Sequence, residues 1–200
     1  MTQVHTVTTT RGPARLHEDS AAQPWLSLVL GHGAGGGVAA PDLQALATTL
    51  PGQGVSVWRV EQPWRVAGRR VAAAPAVLDD AWTQVLAALP DEAPRAFGGR
   101  SAGARVACRT ASALGAVAVA ALAFPLHPPG RPGRSRAHEL DQVTCPTLVV
   151  QGERDAFGTP DQVPTAPGRT VVAVPGDHAL KADPDAVVRA VAAFLDRLRA

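Results

Sequence analysis

The chain has no tyrosine, isoleucine or asparagine, a single methionine, and only two cysteines, Cys108 and Cys145, in 200 residues. Two thiols cannot build a disulfide framework or a zinc site of ligand spacing, so each is expected to be a buried, reduced side chain. Lysine is almost missing as well: of 19 basic residues all but Lys181 are arginine, a bias that looks like a GC-rich genome rather than a function. The net charge of +2 is small and the arginines are scattered, so nucleic acid is not an expected partner. No apolar run approaches the ~20 residues of a membrane helix, which argues against a membrane partner. The first twenty residues are polar, with no basic start leading into an apolar core, so no secretory leader is read there and a cytoplasmic location is the expectation.

What is present is a chain 46% hydrophobic and 18% charged, a balance that folds. Its length suits one domain over residues 1–200, with residues 1–23 read as edge strands or an N-terminal hairpin. Val4, Val7 and Thr8 to Thr10 ahead of Arg11-Gly12-Pro13 carry that hairpin reading. Trp25 to Leu30 is a short apolar run that suits a strand buried on both faces, and it empties into the glycine loop Gly31-His32-Gly33-Ala34-Gly35-Gly36-Gly37. Pro41 and Asp42 open a helix with Leu43, Leu46 and Leu50 on one face. Further strands are predicted at Val55 to Val60, Arg95 to Phe97, Ala116 to Phe124, Pro146 to Gly152 and Thr170 to Val174. Helices are predicted from about Pro75 to Leu89, after Ser101, and from Pro184 with Asp183 as its cap. Strands alternating with helices imply an α/β fold with a doubly wound, mostly parallel sheet flanked by helices, in which ligands sit at the carboxyl ends of the strands.

The stretch Gly98-Gly99-Arg100-Ser101-Ala102-Gly103 contains G-x-S-x-G between a strand and a helix. That context places a serine on a strained turn with its oxygen exposed. A serine hydroxyl attacks only if a base takes its proton, and an imidazole in that role needs a carboxylate on its other nitrogen. Asp155, just past one strand, and His178, just past the next, follow Ser101 in the order Ser, Asp, His. Asp177 competes for the acid's place, but adjacent side chains on a loop rarely converge, and Asp155 is preferred.

At these residues the chain resembles the α/β-hydrolase superfamily, from about Trp25 to its end. Leu30 to Gly36, Phe124-Pro125-Leu126-His127-Pro128-Pro129-Gly130, Gln151-Gly152-Glu153-Arg154-Asp155 with Phe157-Gly158-Thr159-Pro160, and Gly176-Asp177-His178 are similar to a small cap-less branch near the dienelactone hydrolases. That group includes testis-expressed hydrolase-like proteins and a subunit of a histone-acetylation complex. Dienelactone hydrolases carry a cysteine where Ser101 stands. The resemblance implies an α/β-hydrolase fold without a cap domain, no cofactor and no metal. It also implies an oxyanion hole from the N–H groups of Ala34 and Ala102, and a small ester or related acyl substrate. Residues 125–145 are too few for a lid domain, so an open, shallow site is expected. Gly33 and His127 are read as facing the substrate, His127 equally as a structural residue, and His32 as shaping the loop.

Two rival readings are testable. Gly31-x-Gly33-x-x-Gly36 after a strand, with Glu61 at the end of the next, is formally a dinucleotide fingerprint, but its helix should begin inside the glycine turn rather than near Pro41. The other keeps the fold and uses it as a catalytically silent binding scaffold.

Overall fold

The computed structural model describes residues 2–90 and 93–199. Among these residues eight strands form one sheet in the order β1-β2-β4-β3-β5-β6-β7-β8. They are β1 (Gln3–Thr9), β2 (Gly12–Asp19), β3 (Leu26–Gly31), β4 (Val55–Glu61), β5 (Arg95–Arg100), β6 (Ala118–Leu122), β7 (Thr147–Gly152) and β8 (Arg169–Val174). The expected hairpin is β1–β2, closed with Thr9 opposite Gly12, whose φ of 107° only glycine adopts readily. It joins the rest antiparallel through β2 on β4, and every later pairing is parallel. The edge strand β1 is largely exposed, whereas β3, β6 and β7 are buried almost throughout, as continuous apolar runs in a parallel sheet must be.

Two apolar layers follow from strand alternation. Leu28 and Leu30 point to one face with Leu43, Leu46 and Phe194, under helices α1 (Pro41–Thr49) and α6 (Pro184–Asp196). Val29 and Phe97 point to the other with Trp82, Val85 and Val106. That face is covered by α3 (Pro75–Ala87) and α4 (Ala102–Thr110). There the fully buried Trp82 meets Phe97 edge to face, centroids 5.8 Å apart. Asp183 caps α6 by accepting from the N–H of Ala186, as its sequence position predicts.

Two short helices, α2 (Pro63–Val66) and α5 (Ala137–Asp141), were not expected; four and five residues are too few to show a helical period. α5 brings Glu139 to Arg105 and Arg109, which makes Arg105 an ion-pair partner. Cys108 is core, and burial pushes its thiol up to about 12. Cys145 corrects the expectation of two buried thiols, since it is only half-buried. The dinucleotide reading fails on the backbone: α1 begins at Pro41, well clear of the glycine turn. Glu61 instead faces Arg15 and His17 of β2.

Candidate active site

Parallel strands leave the sheet on one side, so the loops after β3, β5, β7 and β8 meet there. Ser101 sits between β5 and α4 with φ 53° and ψ −107°, a conformation a side chain rarely adopts. Its N–H is held by the carbonyl of Leu122 at 2.9 Å and its carbonyl starts α4 through Arg105. Among the described residues the other non-glycine positions of positive φ are Ala123, after β6, and Leu180, in the loop after β8. All three lie in loops at this end of the sheet, with strain of order 1–3 kcal/mol at each.

The turn is tight because three glycines stack. A Cβ on Gly31 would lie 2.8 Å from the Cα of Gly103, and one on Gly103 or Gly99 would run into the backbone of Gly31. Backbone cannot give way as a side chain can. Gly103→Ala is therefore expected to lose about 3 kcal/mol of stability, read as a lower urea midpoint.

His178 closes a relay. Its Nδ1 lies 2.8 Å from Asp155 Oδ2, and its Nε2 lies 2.9 Å from Ser101 Oγ. With the carboxylate on Nδ1, that nitrogen carries the proton and Nε2 is left to accept from the serine hydroxyl. Asp155 is buried, and its other oxygen, Oδ1, accepts from the N–H of Phe157 at 2.8 Å. Two residues here, quoted in the sequence only as part of the resemblance, were given no role there. Gln151, wholly buried at the end of β7, donates to Asp155 Oδ2 at 2.9 Å and to the carbonyl of Gly158 at 2.6 Å. A polar residue inside the run Val149-Val150-Gln151 was the available signal. Phe157 stacks on the His178 ring, centroids 4.1 Å apart, and no periodicity announces that.

Asp177 points elsewhere: its Oδ1 accepts from the N–H of Ala179, a bond that holds its carboxyl below the ordinary range. His32 shapes the glycine loop. Its Nε2 accepts from the N–H of Gln62, so Nδ1 donates to the carbonyl of Gly33, and burial lowers its affinity for a second proton. The loop then crosses the elbow, with the Cβ position of Gly33 3.5 Å from Ser101 Cβ. Ala34 is half-buried in that loop, and Ala102 opens α4, where an N–H has no intrahelical acceptor. His127 is not brought to the relay by any hydrogen bond. Its ring faces the carbonyl of Pro128, and its N–H donates to the carbonyl of Phe157, which places it against the acid-bearing loop.

A doubly wound sheet with serine, carboxylate and imidazole in that order at its strand ends defines the α/β-hydrolase class of proteins. The chain belongs to the alpha/beta hydrolase domain family, whose model matches residues 25–187. No curated protein matches it in sequence. Solved structures show the same fold. A lidless α/β serine hydrolase from Xanthomonas campestris is 21% identical with a TM-score of 0.80, over 98% of this chain and 94% of that one. Est1E from Butyrivibrio proteoclasticus is 17% identical, TM-score 0.76, over 97% and 98%. An esterase from Thermogutta terrifontis is 16% identical, TM-score 0.73, over 99% and 100%. Among the described residues no helix is long and apolar enough to cross a membrane.

Proposed function

We propose that this protein is a cofactor-free serine hydrolase that cleaves a small carboxylic ester or a related acyl substrate. The observation that carries the reading is the unbroken relay from Ser101 through His178 to Asp155 at 2.9 and 2.8 Å, with the serine on a strained elbow. The substrate carbonyl enters beside Gly33. Ser101 Oγ attacks it while its proton passes to His178 Nε2, and the imidazolium so formed is stabilised by Asp155. Negative charge grows on the carbonyl oxygen, and the N–H groups of Ala34 and Ala102 receive it, helped by the N-terminus of α4. Collapse expels the alcohol, which takes the proton from His178. Water then repeats the sequence on the acyl-enzyme.

The rim is set by residues around the relay. His127 is assigned to the substrate side. A cavity of about 250 Å³, walled by Pro63, Trp64, Val77 and Leu78 with Gln62, Arg11 and Arg69 beside them, is assigned to the acyl group. Trp64 and Leu78 also border the space behind Ala102. The lidless Xanthomonas campestris neighbour and the shortness of residues 125–145 support an open site. The motifs from Leu30 to His178 are what support a place beside the cap-less branch near the dienelactone hydrolases, with serine chemistry in place of cysteine. A cytoplasmic location and a small-molecule substrate complete the reading.

Treatment of the purified protein with a fluorophosphonate, which reports an activated serine whatever the substrate, tests it. Stoichiometric labelling of Ser101 and turnover of a short p-nitrophenyl ester are expected. A folded protein that takes no label would point to a binding scaffold instead.

A further inference from the structure

Arg100 precedes the serine, and its side chain reaches the imidazole loop, the glycine loop and the first turn of α1. Nη2 donates to the main-chain oxygen of His178 at 3.2 Å. Nη1 lies against the glycine loop, 3.3 Å from where a Cβ on Gly36 would stand. Nε faces Asp42 Oδ2 across 3.7 Å, close enough for strong attraction and too far for a hydrogen bond. One guanidinium therefore connects the elbow, the imidazole loop and the glycine loop.

Asp42 is the anomaly. It lies in the first turn of α1 with 0% exposure, and among the described residues no side chain hydrogen-bonds to either oxygen. The Arg100 Nε is likewise buried and unbonded. Burial pushes the Asp42 carboxyl above the ordinary range, against the pull of Arg100, of the backbone N–H groups of Leu43 and of Asp42 itself, and of His178; Arg100 and His178 are the two ionisable groups that face it. Such a group costs stability. The folded chain keeps its proton to higher pH than the unfolded chain does, so stability falls as pH rises from the ordinary carboxylate range through the raised value. Packing alone gains nothing from that arrangement.

What the carboxylate supplies is charge. The Arg100 guanidinium rests on the backbone of the residue whose ring must become an imidazolium as Ser101 attacks. An unbalanced positive charge a few ångströms away would raise that barrier. We propose that Asp42 is a charge-balancing and positioning residue for the reaction at Ser101: it offsets the Arg100 guanidinium beside His178 and holds it where it ties the imidazole loop to the glycine loop. Asp42 touches no reacting atom and acts through Arg100. The inference rests on the hydrolytic reading above.

A double-mutant cycle on p-nitrophenyl acetate tests it, with kcat, KM and melting temperature measured at pH 7 for the wild type, Asp42→Asn, Arg100→Met and the double variant. Asp42→Asn is expected to lower kcat about 10- to 50-fold. KM should move less than about threefold, and the variant should melt no lower than the wild type, because the amide removes the costly buried charge. In the Arg100→Met background the same change should cost under about threefold, since no guanidinium remains to be offset. An equal loss in both backgrounds, no loss in either, or an Asp42→Asn protein that melts well below the wild type would overturn the proposal, the last being the mark of a merely structural pair. A wild type that neither turns over nor takes a fluorophosphonate would instead bring down the hydrolytic reading itself, and this inference with it.

Discussion

Replacing Ser101 by alanine is expected to lower kcat toward any accepted ester by on the order of 10⁶ and to abolish fluorophosphonate labelling. The size of the effect follows from the chemistry. Without Oγ there is no acyl-enzyme, and the residual rate is what binding and the oxyanion donors give to water attack. The fold should survive, because the elbow is held by the Ser101 N–H on Leu122 and by glycine packing rather than by the hydroxyl. Circular dichroism and a melting curve beside the kinetics separate the two effects, and a loss below about tenfold would remove Ser101 from the nucleophile's role.

Asp155→Asn is expected to cost about 10⁴ in kcat with little change in KM. An amide at that position offers His178 Nδ1 a donor as readily as an acceptor, so the ring is released from the tautomer that leaves Nε2 free for the serine. The surroundings leave that amide no orientation without a clash: an Asn nitrogen at the place of Oδ2 would face the Gln151 donor, and one at the place of Oδ1 would face the N–H of Phe157. Asp177→Asn, one residue from the histidine, should change kcat by less than about twofold, since that carboxylate serves only its own turn. Comparable losses in the two variants would mean that the acid has been misassigned.

How far the sequence revealed this site depends on the range over which each feature is determined. The elbow was legible because it is local: glycines must flank a residue forced to positive φ, and a strand and a helix must bracket it. Asp155 and His178 were legible because parallel topology carries the ends of β7 and β8 to the same side of the sheet as the end of β5. Gln151 and Phe157 were not, since a buried glutamine and a loop phenylalanine acquire their meaning only from what the third dimension sets against them. The Arg100–Asp42 pair joins positions almost sixty residues apart, and neither side chain alone suggests the other. Short helices such as α2 escaped for a different reason: four residues begun by Pro63 end before any periodicity can appear.

The stacking of Gly31, Gly99 and Gly103 has a consequence for how such a protein can change its repertoire. The distance between the end of β3, where the glycine loop begins, and the serine elbow is set by main chain resting on main chain at these three glycines. The proposed rim is the opposite, built from side chains of the segments that follow β4 and β6. Mutation can therefore reshape what the site admits, by altering positions such as Trp64, Val77 or His127, without moving the reacting atoms relative to one another. Directed variation confined to those segments should yield new selectivities at an undiminished intrinsic rate, whereas variation at the three glycines should cost stability, about 3 kcal/mol even for alanine at Gly103.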